Sequence, residues 1–481
     1  MAELLTPDLC VIGAGAGGLS VAAAAAAFGA SVVLIEKGKL GGDCLYSGCV
    51  PSKALIAAAK HAYAIARAGQ FGLTAAPPEA DFAKVHAHVQ DIIAAIAPND
   101  SKQRFTGLGV RVLAGVGRFK NRRTVAVDDI EIKARRFVIA TGSSPAVPEI
   151  AGLADVAFHT NETVFDLKVR PEHLIVVGAG PTGLELAQAF RRLGAVVTVL
   201  DAATPLARED PECAAVVVNG LRDEGIDLRS GIEVVRVEAR DGGIAVAVRT
   251  TSAAEGETAS EITISGTHLL LATGRRANIE ELALDNARIK RDGGAIRVDE
   301  SLKTSNKRVY GIGDVTGHAQ FTHVANYHAG IVIRSALFRQ PAKLNEHVIP
   351  RVTFTDPELA HVGLTEAQAR RQRRVIRVLR WPYHENDRAQ AERTTTGHIK
   401  VVTDRRGEIL GASIVGAGAG ELITAWTLAV TEGLNIRAMA GIVVPYPTLA
   451  EIGKRAAITY FTPTLTQGWV RRLIGVLRRF G

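Results

Sequence analysis

Four cysteines in 481 residues are too few for a secreted scaffold held together by disulfides. Two of them, Cys10 and Cys213, stand alone and read as structural. The other two, Cys44 and Cys49, have no second C-x-x-C or H-x-x-H cluster nearby, so a zinc site would lack its remaining ligands. No basic segment precedes the first apolar run. A signal peptide is therefore not expected, and a cytoplasmic protein is. The net charge of +8 is scattered along the chain except at its C-terminal end, which argues for general solubility and against nucleic-acid binding.

Charge is also missing from Val11 to Ile35, a stretch that hydropathy alone would read as a membrane span. It opens on a glycine cluster, however, and Gly29 separates an alanine-rich run from a β-branched one. Strand, turn, helix and strand are predicted there, inside a soluble domain. Glycine is abundant, at 48 residues, as a fold with several tight strand-to-helix turns requires. Hydrophobic residues at 47% and charged ones at 22% complete the picture of a globular chain long enough for about three domains.

What is present is most concentrated in Gly41-Gly42-Asp43-Cys44-Leu45-Tyr46-Ser47-Gly48-Cys49-Val50-Pro51-Ser52-Lys53. A thiol beside a lysine and a helix N-terminus has a lowered pKa and is competent for redox exchange. For an isolated C-x4-C three readings stay open: a redox disulfide, a structural pair, or half of a metal site. Its surroundings must decide.

Leu9–Ile12 is predicted to be a buried strand, followed by Gly13-Ala14-Gly15-Ala16-Gly17-Gly18, a helix to Phe28, and a strand ending on Glu36. This is a dinucleotide fingerprint: Gly13 for the turn, Gly15 for close approach of a pyrophosphate, Gly18 for helix packing and Glu36 for a ribose hydroxyl. Helices are predicted over roughly Ser52–Ala68 and Phe82–Leu108, the second broken near Pro98. His61, His86 and His88 within them read as packing or surface residues. The strand ending Ala140-Thr141-Gly142 has small residues that let the chain cross close to a cofactor.

A second fingerprint follows, with Gly178, Gly180 and Gly183 opening a helix and a strand that ends on Asp201. Two such units with a cysteine pair in the first point to a flavin and a nicotinamide cofactor. Asp201 should accept ribose hydroxyls and repel a 2′-phosphate, favouring NADH over NADPH. The unit closes at Ala272-Thr273-Gly274, and Gly311-Ile312-Gly313-Asp314 returns an aspartate suited to a polyol chain. From about Asn345 the chain turns strand-rich. It is expected to be too polar on one side to bury itself, and so to form a subunit interface.

These motifs, in this order from Leu9 to Phe461 and including Phe354-Thr355-Asp356-Pro357-Glu358, resemble the pyridine nucleotide-disulfide oxidoreductases. That family contains dihydrolipoamide dehydrogenase, glutathione reductase and mercuric reductase. The resemblance implies an α/β fold with two Rossmann-like domains and a C-terminal α+β dimerisation domain. Residues 1–150 and 275–344 would bind FAD, 151–274 NAD(P), and 345–465 would form the interface of a homodimer. It also implies roles: Cys49 as the flavin-proximal charge-transfer thiol, Cys44 as the interchange thiol, and Lys53 with Glu185 as an ion pair beside the flavin. Electrons would pass from NADH through FAD to the Cys44–Cys49 disulfide and on to a small-molecule acceptor.

The chain departs from the family's disulfide reductases at one position. They carry His-x-x-x-x-Glu near the C-terminus, supplied by the partner subunit; here Glu451 is present and Tyr446 stands in place of the histidine. A phenol with pKa near 10 is a poor proton carrier at neutral pH. This points to a soft metal ion or another thiol-reactive or quinone-like acceptor, as in mercuric reductases, which share the tyrosine. Dihydrolipoamide dehydrogenase activity is the alternative; a low-turnover flavin-bound redox sensor is a third reading. Mercuric reductases also end in an adjacent cysteine pair, whereas no cysteine follows Cys213 here and no N-terminal metal-binding domain is expected. Asp43, Tyr46 and Ser47 depart from the family's usual cysteine segment and should reshape the substrate mouth.

The tail 466–481 lies outside this resemblance. Trp469, Leu473, Leu477 and Phe480 fall on one helical stripe flanked by arginines, which fits peripheral contact with an acidic membrane surface. Docking on the protein's own dimer fits equally well.

Overall fold

The computed structural model describes residues 3–251, 261–373, 375–465 and 468–480. The chain divides into two compact units, one of 1–178, 189–200 and 232–345, the other of 179–188, 201–231 and 346–481.

The first unit is built on a five-stranded parallel sheet in the order Val309–Gly311, Arg136–Ile139, Leu9–Ile12, Val32–Glu36, Arg111–Ala114. Leu9–Ile12 and Val32–Ile35 at its centre are buried, which is why Val11 to Ile35 carries no charge. Between the strands runs the helix Ala16–Ala27, made almost wholly of alanine and glycine. Small side chains bring it against the helix Thr322–Ala336: a Cβ on Gly17 would lie 3.1 Å from Ile312 Cδ1 and 3.2 Å from Ala325 Cβ. A second parallel set joins Val196–Asp201, His173–Val177 and His268–Leu271, and Ile232–Arg240, Gly243–Thr250 and Glu261–Gly266 form a three-stranded antiparallel sheet.

The helices after the cysteine segment follow the sequence reading with shifted ends. The first spans Cys49–Ala66 and so begins at the second cysteine itself. The second stretch resolves into Phe82–Ile96, a 3-10 turn at Ala97–Asp100 containing Pro98, and Lys102–Gly107. Asp81 and Ser101 cap the two α-helices by accepting backbone N–H bonds from Lys84 and Arg104.

The second unit holds a five-stranded antiparallel sheet in the order Arg351–Thr353, Glu358–Gly363, Ile409–Gly416, His398–Asp404, Ile376–Pro382. One face packs Ala360, Leu379, Ile399, Val401 and Ile414 against the helices Ala419–Thr431 and Glu451–Thr459. The other face corrects an expectation. Its polar residues are not left for a partner: His361, Ser413, Lys400 and Arg380 form a row across four strands, and the first three are buried. The helix Pro211–Asp223 of the same chain meets this row with Asp210 and Glu212 at its N-terminus. Lys400 Nζ lies 2.9 Å from Asp210, 3.0 Å from Glu212 and 2.8 Å from Glu366. Buried polar groups are tolerated where they are paired, and here the pairing is internal.

Candidate active site

Two glycines dock the cysteine segment on the first fingerprint. Gly41 and Gly42 take φ of +102° and +61°, and Gly41 N–H donates to Ala14 O at 2.9 Å. A Cβ on Gly42 would stand 2.9 Å from Gly15 Cα. The segment and the fingerprint, separate motifs in the sequence, are therefore in direct contact. Cys44 lies in the short helix Gly42–Tyr46, and Cys49 is the first residue of Cys49–Ala66.

Both sulfurs are thiols here, and their environments drive them apart. Cys49 is held down to about 6, chiefly by the hydrogen bond from Cys44, against its burial; the Thr322 hydroxyl, 3.4 Å away, and the Lys53 ammonium act in the same sense. Cys44 is driven up by that same hydrogen bond and by burial. The pair is thus a thiol donating to a thiolate, and the anion resides on Cys49.

Asp43, next to Cys44, organises the turn between the cysteines. Its carboxylate accepts from Ser47 Oγ at 2.8 Å and from Asn161 Nδ2 at 3.1 Å, and lies 3.1 Å from the Arg275 guanidinium. Asn161 also donates to the Ser47 carbonyl at 2.9 Å. Arg275 continues through Ser143, whose hydroxyl accepts from its Nε at 2.7 Å and donates to Asp314 at 2.6 Å. Burial raises the Asp314 carboxyl above its ordinary value, opposed by Ser143 and Arg275. Thr141 and Gly142 are fixed by Asn278, Thr141 donating to the Asn278 carbonyl at 2.7 Å and Gly142 O accepting the Asn278 N–H at 3.0 Å. Thr322, Asn161, Ser143 and Asn278 were not among the residues singled out in the sequence. Thr322, Asn161 and Asn278 come from distant segments, so local pattern carried no signal for them, whereas Ser143 directly follows the Ala140-Thr141-Gly142 motif.

The two fingerprints repeat one geometry. Gly13 has φ +102° and a Cβ there would sit 2.4 Å from Ala140 O; Gly178 has φ +111° and its Cβ would sit 2.4 Å from Ala272 O. A Cβ on Gly18 would fall 1.9 Å from Gly13 O, so only glycine lets helix and strand meet. By contrast, Cβ atoms on Gly15 and Gly180 would meet nothing within 4 Å. Those two positions line an open cradle at a helix N-terminus, which fits a pyrophosphate. Gly183 lies on the helix Pro181–Arg192 that leaves the second turn. Gly274, φ +121°, is likewise open. Glu36 accepts from Ala14 N–H at 2.6 Å, and Asp201 from Ala179 N–H at 2.5 Å, each acid spanning its own glycine turn. These residues fit a flavin and a nicotinamide dinucleotide.

The remaining site residues belong to the second unit. Glu185 is buried and accepts the Phe354 backbone N–H at 2.9 Å. Tyr446 is 71% exposed, and its hydroxyl donates to Asp387 Oδ2 at 2.9 Å. That bond raises the phenol above its ordinary value, aided by the charges of Asp387 and Glu451. Glu451 is the first residue of Glu451–Thr459.

A parallel-sheet dinucleotide fold with a coupled thiol pair defines a flavoprotein disulfide oxidoreductase. The chain belongs to the pyridine nucleotide-disulphide oxidoreductase family, matched over residues 7–329, with that family's dimerisation domain over 349–457. It is 37% identical to a mercuric reductase of Streptomyces lividans, covering 94% of this chain and 96% of the relative. It is 35% identical to a dihydrolipoyl dehydrogenase of Thermus scotoductus, covering 93% and 95%. Among solved structures, the Cu(II) complex of the HOCl-induced flavoprotein disulfide reductase RclA from Escherichia coli aligns with a TM-score of 0.83 at 26% identity, covering 97% of this chain and all of that one. The protein is an FAD-dependent, NAD(P)H-using oxidoreductase, and its dimerisation domain supports a homodimer.

Proposed function

We propose that this enzyme uses NADH to reduce a soft metal ion through the Cys44–Cys49 pair. The observation that carries the reading is the contrast between an activated thiolate at Cys49 and a phenol, Tyr446, at the position of the family's proton carrier. The bound flavin supplies hydride acceptance from the nicotinamide and reduction of the disulfide. Cys49, as the anion, is the charge-transfer thiol beside it. Cys44, held neutral, is the interchange thiol that meets the acceptor. Lys53 and Glu185 serve as the pair beside the flavin, and Asp314 binds its polyol chain. Glu36 and Asp201 bind ribose hydroxyls, and Asp201 gives the preference for NADH.

Reducing a disulfide substrate requires a group near neutral pKa to take and return a proton. Tyr446, raised further by Asp387, meets that need poorly. Two thiolates binding a soft cation only have to shed protons to water. The Cu(II) complex of the Escherichia coli relative and the name of the Streptomyces relative agree with this choice. The alternative, lipoamide as acceptor, draws on the Thermus relative. Steady-state turnover of NADH with Hg(II), Cu(II), lipoamide and a quinone separates them, and rapid lipoamide turnover would overturn the metal reading. Repeating the screen with NADPH tests Asp201.

Among the described residues no helix is long and apolar enough to cross a membrane. We place the enzyme in the cytoplasm, with its C-terminal tail in peripheral contact with a membrane.

A further inference from the structure

We propose that the C-terminal helix Gly468–Leu477, with the turn that follows it to Phe480, anchors the enzyme on anionic lipid bilayers specifically. This names the partner for the tail contact proposed above and rests on it; it is independent of the acceptor.

At 100° per residue, Trp469, Leu473, Val476 and Leu477 fall on one arc of the helix and Arg471 and Arg472 on the other side, and the turn after it adds Arg478, Arg479 and the apolar Phe480. The tail from Gly468 to Phe480 contains those four arginines and no acidic residue. The apolar side is open in the single chain: Leu473 is 46% exposed, Leu477 53% and Phe480 83%. Of the tail expected over 466–481, residues 466, 467 and 481 lie outside the described residues.

The two faces select among occupants. A nucleic acid would neutralise the arginines and leave the apolar arc wet, while an apolar groove on a protein would cover the arc and leave four cations unmatched. An anionic bilayer matches both at once: the apolar arc enters the acyl boundary while the arginines stay among the headgroups. A helix of ten residues is about 15 Å long, half the thickness of a hydrocarbon core, so it lies in the interface rather than across it. Each arginine near such a surface strengthens partitioning about five-fold. A homodimer carries two tails, which multiplies the effect if both reach the same surface.

The test is flotation of the FAD-loaded full-length homodimer with vesicles of phosphatidylcholine alone and of phosphatidylcholine mixed with phosphatidylglycerol. Tryptophan fluorescence is followed in parallel and read as the difference from the chain truncated after Pro463, which retains Trp381 and Trp426 but not Trp469. Flotation and a blue shift are expected with the mixed vesicles only, both reversed by salt. The double change Arg471→Gln and Arg472→Gln should lower partitioning by on the order of ten-fold or more. Leu473→Asp should abolish it, with flavin content and oligomeric state unchanged. Equal flotation on both vesicle types would overturn the anionic selection while leaving the tail contact standing. No flotation on either, or undiminished flotation of a chain truncated after Pro463, would overturn the tail contact itself.

Discussion

The Cys49 sulfur lies 3.4 Å from the Thr322 hydroxyl oxygen, and each of these residues is the first of a helix. Two helix N-termini, with their partial positive charges, therefore converge on one sulfur.

The folded environment lowers the Cys49 thiol from its ordinary value of 9.0 to about 6. In the two-electron-reduced enzyme, alkylation of Cys49 by iodoacetamide should stay fast as pH falls from neutral and drop only near pH 6. Thr322→Val removes one donor to the anion and should move that profile to higher pH. The measurement is the rate of alkylation against pH, with the modified residue located by mass spectrometry. An unmoved profile would remove Thr322 from the account.

Gly15 and Gly18 lie two and five residues after the turn glycine Gly13, and their substitution should have different consequences. Gly18→Ala forces a Cβ onto Gly13 O and should destabilise the fold by several kcal/mol through overpacking, about 1–3. Gly15→Ala meets no protein atom; the apoprotein should keep its thermal midpoint while losing FAD on gel filtration. Gly180→Ala should instead retain FAD and raise KM for NADH. Flavin absorbance, calorimetry and NADH titration read the three outcomes.

Tyr446→His replaces a phenol with a group that titrates near neutral pH. Lipoamide reduction should rise by on the order of a hundred-fold, the low side of what a positioned base contributes. Hg(II)-dependent NADH oxidation should change little. The ratio of the two turnover numbers is the quantity to compare.

Lys400 ties Asp210, Glu212 and Glu366 together on the polar face of the second unit. Lys400→Met leaves buried Asp210 without its cation and should cost about 3–5 kcal/mol in denaturant unfolding. Glu212 is held down from 4.5 to about 2, first by the Arg380 hydrogen bond and also by Lys400. Its carboxyl is lower in the folded state, so its contribution is complete above pH 4.5 and is lost as pH falls toward 2. The stability lost in the variant should therefore be largest near neutral pH and shrink as pH falls toward 2. An acid titration by circular dichroism checks this.

The parallel sheets and both glycine turns were legible because each is local: a strand, a turn and a helix within some thirty residues. So was the cysteine segment, whose helix merely begins three residues earlier than expected, at Cys49. The one-sided polarity of the strands after Asn345 was legible as a pattern but not in its direction. Only the fold shows that Lys400 faces Asp210, 190 residues away. The clamp of Asp43 by Asn161 and Arg275 was hidden for the same reason. Asp43 stood out in the sequence as an oddity, and its partners lie 118 and 232 positions further on.

Thr322 is separated from Cys49 by 273 residues. A chain emerging from the ribosome completes the cysteine segment long before it can supply that hydroxyl or the second helix terminus. Until then the Cys49 anion has only its local supports, the Cys44 hydrogen bond and the Lys53 charge. The last increment of its activation is thus a late property of folding.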